Sequence, residues 1–306
     1  MMNNTPVALT VRLGCELTYR TLRPTPALIL VRPPSLWEQR IQCETYTHEP
    51  WQMAHEEIDS HGNRVDRVVL QPGVTVIRHD ALVEVTSALE PLLVSQRAAA
   101  VEELPLSLLR YTLPSRYCDS DRLIDFARDH FDRCEPGAAT VRAISDWVHQ
   151  NIEYRFGAGS KYTAAAEIIA QGYGVCRDFA HATVALCRTF NIPARYATSH
   201  LPDIAAEDNG TPMDFHANAE VYLEGRWFTV DSRFNVPRIG RVKIACGMDA
   251  AETALSTLYG GVDLVSFYVW NYQVDPAVTT LNDSLDFSTR LDGTTQLTIP
   301  AHAHAF

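Results

Sequence analysis

Along the first ninety residues, apolar and polar positions change places every one or two residues. "LTVRLGCELTY" alternates, "ALILV" is a short apolar run, and "HEEIDSHGNRVDRVVLQPGVTVIRHDALVEVTS" holds extended segments broken at His61-Gly62-Asn63 and Pro72-Gly73. Enrichment in Val, Ile and Thr with turn residues at the gaps predicts an all-β unit. From about residue 96 the pattern changes. "QRAAAVEELPLSLLRYTLPSRYCDSDRL" reads as a linker, after which Ser120 or Asp121 caps a predicted helix through about Asp132. Thr140 caps the next, whose Val141, Ile144, Trp147, Val148, Asn151 and Ile152 follow the three-then-four spacing of an amphipathic helix. A short helix over Ala164 to Ala170 precedes a longer one with Cys176, Phe179, Ala180, Thr183, Leu186, Cys187 and Phe190 on one broad face. Strands follow in "ARYATSH", "FHANAEVYL" and "RWFTVDSRF", with an acidic loop at 201–214 that could gate a cleft or select basic substrates. A last helix is predicted over Asp249 to Tyr259, then a strand in "VDLVSFYVWNYQV" and a loosely held tail. Strands, then helices, then strands make an α+β chain. The expected division is a β-rich unit over 1–95 and a second domain over 96–306.

Charge and cysteine usage narrow the setting. A formal charge of −11 would be repelled by nucleic acid or an anionic membrane, so neither is an expected partner. No apolar run approaches the length of a membrane span, and the N-terminus lacks the pattern of a secretory signal. The seven cysteines are scattered and never form CxxC, which predicts reduced thiols in a cytoplasmic protein.

The stretch "GYGVCRDFAHATVALCRTF" delivers Cys176 to the first turn of a predicted helix. There the unpaired backbone N–H groups and the positive end of the dipole favour a thiolate and can hold an oxyanion. A thiolate nucleophile needs an imidazole within reach and a third group to orient it. "FHANAEVYLEGRWFTVDSRF" reads as a hairpin turning at Glu224-Gly225, so that Leu223 faces Arg226 and His216 faces Arg233. Asp231 then lies diagonally across from His216 on the same side of the sheet, and a one-residue slip would send it to the other face. Arg177, Asp178 and His181 beside the cysteine are candidates for touching substrate or tuning the thiol, or simply for satisfying the helix end. Tyr173 and Tyr154 could line the cleft. Cys176, His216 and Asp231 are also plausible zinc ligands, but no fourth is evident beyond the small His302-Ala303-His304 motif, and no metal is expected.

"GVCRDFAH" followed by "HANAEVYLEGRWFTVD" resembles the transglutaminase-like superfamily, in which a cysteine starts a helix, a histidine begins one strand and an aspartate ends the next. "LLRYTLPSRYCDSD", "IEYRFG" and "PRIGRVKIACGMDAAETAL" resemble its bacterial branch with a β-rich N-terminal region, and the likeness to the core spans about 115–275. The resemblance implies a papain-like core and Cys-His-Asp acyl transfer on a peptide or protein amide, with Cys176, His216 and Asp231 in those roles and no cofactor. Hydrolysis by a cysteine peptidase or amidase is the expected outcome. A protein-glutamine cross-linker and an inactive interaction module are the alternatives. Asn218 stands where the family often has an aromatic residue, which bears on the pocket beside His216. No DxDxDG-type calcium loop is present.

Overall fold

The alternation of the first ninety residues becomes six strands: β1 (Ala8–Thr21), β2 (Thr25–Ile29), β3 (Gln39–Glu49), β4 (Ala54–Ile58), β5 (Arg64–Leu70) and β6 (Gly73–Thr86). The structure is a computed structural model that describes residues 8–88, 92–93, 95–204 and 213–285. Five helices follow in the middle of the chain: α1 (Leu106–Leu109), α2 (Ile124–Phe131), α3 (Ala138–Asn151), α4 (Ala165–Gln171) and α5 (Cys176–Thr189). Two short strands, β7 (Glu153–Tyr154) and β8 (Tyr173–Gly174), pair in parallel between them. The remaining strands are β9 (Ala194–His200), β10 (Phe215–Leu223), β11 (Arg226–Val230), β12 (Val242–Gly247), β13 (Ser256–Leu258) and β14 (Val262–Val274).

Three four-stranded antiparallel sheets organise the molecule, in the orders β14-β1-β6-β3, β13-β2-β5-β4 and β11-β10-β9-β12. The first two sandwich Leu17, Tyr19, Ile29, Leu70, Ile77 and Phe267 between them. The third lies against α5, whose Ala182, Val184, Ala185 and Leu186 join Ala219, Val221, Phe228 and Val230 in a core shared with α2, α3 and α4. From Asp178 to Arg188 every residue of α5 is buried, so the helix has no solvent stripe. A helix apolar nearly all round must be surrounded, and here the sheet and three helices do so. Arg188 is tolerated inside because its guanidinium donates to the carbonyls of Ala194, Leu113 and Met248.

Sheet membership departs from the division at residue 95. β14 pairs with β1 from Thr10 to Thr21, with Trp270 opposite Gly14. Any side chain at residue 14 would collide with that indole, whose N–H donates to Asp80 at 3.0 Å. The β-rich unit is therefore completed by residues 256–274 from the chain's far end. The expected helix over Asp249 to Tyr259 is instead a turn followed by β13, because Ser256, Thr257 and Leu258 find open backbone groups on β2. Two other expectations shift at helix starts. The helix ending near Asp132 splits into a 3-10 turn at Ser120–Arg122 and α2. Thr140 sits inside α3, which begins after Gly137, and its hydroxyl donates back to the Glu135 carbonyl.

The β-rich unit also closes the edge of the third sheet. The Gln39 side-chain amide exchanges two hydrogen bonds with the backbone of Lys243, at 2.8 and 2.7 Å. The Asn63 amide does the same with Cys246, at 2.7 and 2.8 Å. Each amide stands in for a neighbouring strand, which satisfies an edge that would otherwise need water or another chain. Among the described residues no helix is long and apolar enough to cross a membrane.

Candidate active site

The loop before α5 is built by its glycines. Gly172 ends α4 in the left-handed conformation, φ 73°, and its N–H bonds the Ile168 carbonyl. Gly174 pairs with Tyr154 and leaves room for Asp178, whose Cβ would lie 2.6 Å from a side chain placed there. Asp178 uses that room to accept the Val175 N–H at 2.9 Å, a cap that fixes the first turn. Cys176 is thereby held half-buried at the head of α5, and neither its own N–H nor that of Arg177 has an acceptor among the described residues.

The hairpin takes the expected register. Leu223 pairs with Arg226 and Ala219 with Val230, across a turn whose Glu224 and Gly225 both have positive φ, 48° and 86°. His216 Nε2 lies 2.7 Å from Asp231 Oδ2, with both side chains buried. With Nε2 taken by Asp231, Nδ1 is the ring nitrogen left for Cys176, whose thiol and the imidazole act on each other electrostatically. Phe234 packs against the imidazole, ring centroids 5.3 Å apart.

Burial opposes charge on all three groups, and their mutual interactions override it. Burial would raise the Cys176 thiol, but the hydrogen bond and charge of His216, then Arg233 and the backbone of Ala217, hold it below the ordinary value. Burial would lower His216, yet Asp231 and Cys176 keep it above its usual value. Asp231 stays well below the carboxylate range despite burial, because His216 and Arg241 both face it. The directions are those of a thiolate–imidazolium pair backed by a carboxylate.

Sequence reasoning missed Arg241. Its guanidinium forks between Asp231 Oδ2 and Asn218 Oδ1, the latter at 2.9 Å. Asn218 also accepts from Ser199 at 3.2 Å and donates to the Ala219 carbonyl. The amide that replaces an aromatic residue thus positions the arginine behind the acid. No local pattern marks Arg241, since only the pairing of β12 with β9 brings it there.

The other candidates are engaged elsewhere. Asp178 is the cap, and Arg177 donates to the Ser160 carbonyl at 2.9 Å. His181 is buried between Tyr117 and Tyr196, and its Nε2 accepts the Ala250 N–H. Burial pushes its pKa down to about 3, so it stays neutral. Tyr173 stacks under Arg155, and Tyr154 under Arg233. His302 and His304 lie outside the described residues, as does most of the acidic loop, 205–212. No cluster of three or more metal-ligating side chains occurs among the described residues. A cavity of about 660 Å³ lies behind the acid, bounded by Asn218, Asp231, Arg241 and, from the β-rich unit, Trp37, Arg40 and Glu84. Neither Cys176 nor His216 lines it.

With this geometry in hand, the comparisons with known proteins agree on a lineage. The model of the transglutaminase-like superfamily matches residues 124–232, from the start of α2 to just past Asp231. The crystal structure of a "Putative Cysteine Protease" from Cytophaga hutchinsonii superposes with a TM-score of 0.81 at 30% identity, covering 90% of this chain and 94% of that one. Its coverage takes in the β-rich unit as well as the core. An uncharacterized protein of Mycobacterium leprae (strain TN), ML0607, is 27% identical over 130 residues, 42% of this chain. This chain spans 46% of that curated relative's length. A family model that spans Cys176, His216 and Asp231 and a structural likeness over nearly the whole chain lead to one statement: the chain belongs to the transglutaminase-like superfamily.

Proposed function

We propose that the protein is a cysteine-dependent amide-cleaving enzyme, a peptidase or amidase, with Cys176 as nucleophile, His216 as acid and base, and Asp231 as the group that orients His216. The observation that carries the reading is the 2.7 Å contact from His216 Nε2 to Asp231, which turns Nδ1 toward the thiol at a helix N-terminus. Two considerations add support. The thiol is held below and the imidazole above its ordinary value, and a similar fold belongs to the C. hutchinsonii protein.

In this mechanism the Cys176 sulfur forms a bond to the substrate carbonyl carbon, and the oxyanion is held by the unpaired N–H of Cys176. The C–N bond then breaks, and the proton on His216 Nδ1 leaves with the amine. In the second half, water gives a proton to Nδ1 as it attacks the thioester carbon, releasing a carboxylic acid and restoring the thiolate. A primary amine in place of water would make the same machinery a transglutaminase. A reducing, cytoplasmic setting belongs to the proposal, since an accessible low-pKa thiol is readily oxidised.

The test is the alkylation rate of Cys176 by iodoacetamide between pH 4 and 9, followed by peptide mass spectrometry, in the parent and in His216→Ala. A reactive plateau extending below pH 7 that disappears in the variant supports the pair. A rate that rises only near pH 8.5 in both proteins sinks it. Incubation of glutamine peptides with and without a primary amine then separates hydrolysis, a gain of acid, from transamidation, a gain of the amine.

A further inference from the structure

The cations around Cys176 differ in what holds them. Arg177 donates to Ser160, Arg155 pairs with Glu153 at 2.6 Å, Arg238 with Asp203 at 3.0 Å, and Arg241 with Asp231. Arg233 has neither an ion-pair partner nor a side-chain hydrogen-bond acceptor among the described residues, although it is half-buried. It is nonetheless fixed. Its guanidinium carbon lies 3.7 Å from the ring centroid of Tyr154 and 4.8 Å from that of Phe234. Tyr154 pairs with Gly174, two residues before the nucleophile, and Phe234 packs on His216. The guanidinium is thus clamped by one ring on β7, which pairs with the cysteine's loop, and one from beside His216. Asp214, whose charge also acts on Tyr154, accepts the Phe215 N–H.

An immobilised guanidinium with unused donors is suited to a carboxylate. Its planar fork matches both oxygens, and its weak hydration lowers the cost of losing water. Clamping by the rings removes rotamer entropy that binding would otherwise have to overcome. The chain as a whole repels anions at a formal charge of −11, so any preference for one must be local.

We propose that Arg233 is the specificity residue of this cleft and receives a carboxylate of the substrate beside the amide that Cys176 attacks. The carboxylate belongs either to an acidic side chain or to a free chain terminus. The inference rests on the Cys176–His216 reading, and the experiment separates the two. Iodoacetate and iodoacetamide both lose iodide to the same thiolate, so the ratio of their rates cancels the thiolate population and reports charge preference alone. That ratio is to be measured for Cys176 in the parent, Arg233→Gln, Arg233→Lys and, as a control, Arg155→Gln. The expected ratio falls about tenfold in Arg233→Gln, less in Arg233→Lys and not in Arg155→Gln, and the parent's preference shrinks with salt. A low-pH plateau with an unchanged ratio in Arg233→Gln overturns this proposal and leaves the Cys–His pair standing, whereas a missing plateau overturns the pair.

Protection of Cys176 from iodoacetamide then distinguishes the sources. One probe is a peptide with an internal glutamate and blocked ends, and the other an alanine peptide with a free C-terminus. Protection by the first assigns a side chain and by the second a terminus, lost in each case in Arg233→Gln. Protection by neither at millimolar concentration overturns the substrate assignment.

Discussion

In the β-rich unit, Arg32 and Arg64 share Glu44 and Glu56, with Asp66 on Arg32 and His79 on Glu44, at distances from 2.6 to 3.2 Å. In the third sheet, Asp231 takes His216 and Arg241, and Asn218 holds the arginine. Both regions bury arginine, carboxylate and histidine. They differ in where the partners stop. Arg32 and Arg64 are each met by carboxylates from several strands, so the network ends in itself. The other network runs outward through His216 to a half-buried thiol and past Phe234 to an unmatched guanidinium. The two networks share residue types; what sets the second apart, and what the proposed reactivity rests on, is its open end beside a free helix N-terminus.

The largest effect that tests this contrast is at the acid. Asp231→Asn is expected to fold normally and lower the turnover of a cleaved peptide by about 10⁴-fold, because the wrong His216 tautomer is then held. A rate within tenfold of the parent would place Asp231 with the structural carboxylates. Glu44→Gln is the converse. Urea denaturation should show a loss of about 3 kcal/mol, since two guanidinium groups lose a shared charge, while Cys176 alkylation stays unchanged. Slower alkylation would join the two regions functionally.

Acid should reveal how many histidines are held neutral. His61, His79, His181 and His200 all lie below their ordinary value, through burial first. Groups depressed in the folded state leave stability intact above the unfolded pKa of about 6.5 and reduce it as pH falls below. His216, raised when folded, acts in the opposite sense. The net is a loss on acidification, at most about 1.4 kcal/mol per pH unit for each depressed histidine. Denaturation midpoints at pH 7.5 and 5.5 measure it, and His200→Leu should flatten the slope. A midpoint that does not move would mean these imidazoles take up protons within the fold.

The smallest effect is expected behind the acid. Arg241→Met should slow turnover about tenfold, the loss of one charge-assisted hydrogen bond. Asp231 would lose the cation that helps hold it down, so the acid limb of the pH–rate profile should move to higher pH. A slower enzyme with an unmoved profile would make Arg241 merely a packing residue.

Much of this was legible in the chain. The alternation before residue 90, the three-four spacing over 141–152 and the hairpin centred on Glu224-Gly225 each depend on near neighbours, so each could be read without the fold. The Cys176–His216–Asp231 assembly was legible for the same reason, since the helix start, strand alternation and turn length are local, and register put His216 and Asp231 on one face. The helix-end role was already open to Asp178 as one of its alternatives, but nothing local marked Arg241, just before β12, or the clamp on Arg233. Thr140 looked like a cap because its type suits one, but the chain enters α3 earlier and the hydroxyl turns back to Glu135.

The sequence by itself determined most of the elements, the hairpin register, and the order in which Cys176, His216 and Asp231 come to the candidate site. Tertiary structure alone decided that β14 closes the first sheet over Gly14, that β13 is a strand and not a helix, and that Arg241 and Arg233 stand at opposite ends of the Cys176–His216–Asp231 network. The physical reason is the range of the forces involved. Periodicity and turn chemistry act over a few residues, whereas open strand edges, buried charges and unpaired guanidinium groups are satisfied by whatever the packed chain brings within about 4 Å, whatever its distance in sequence.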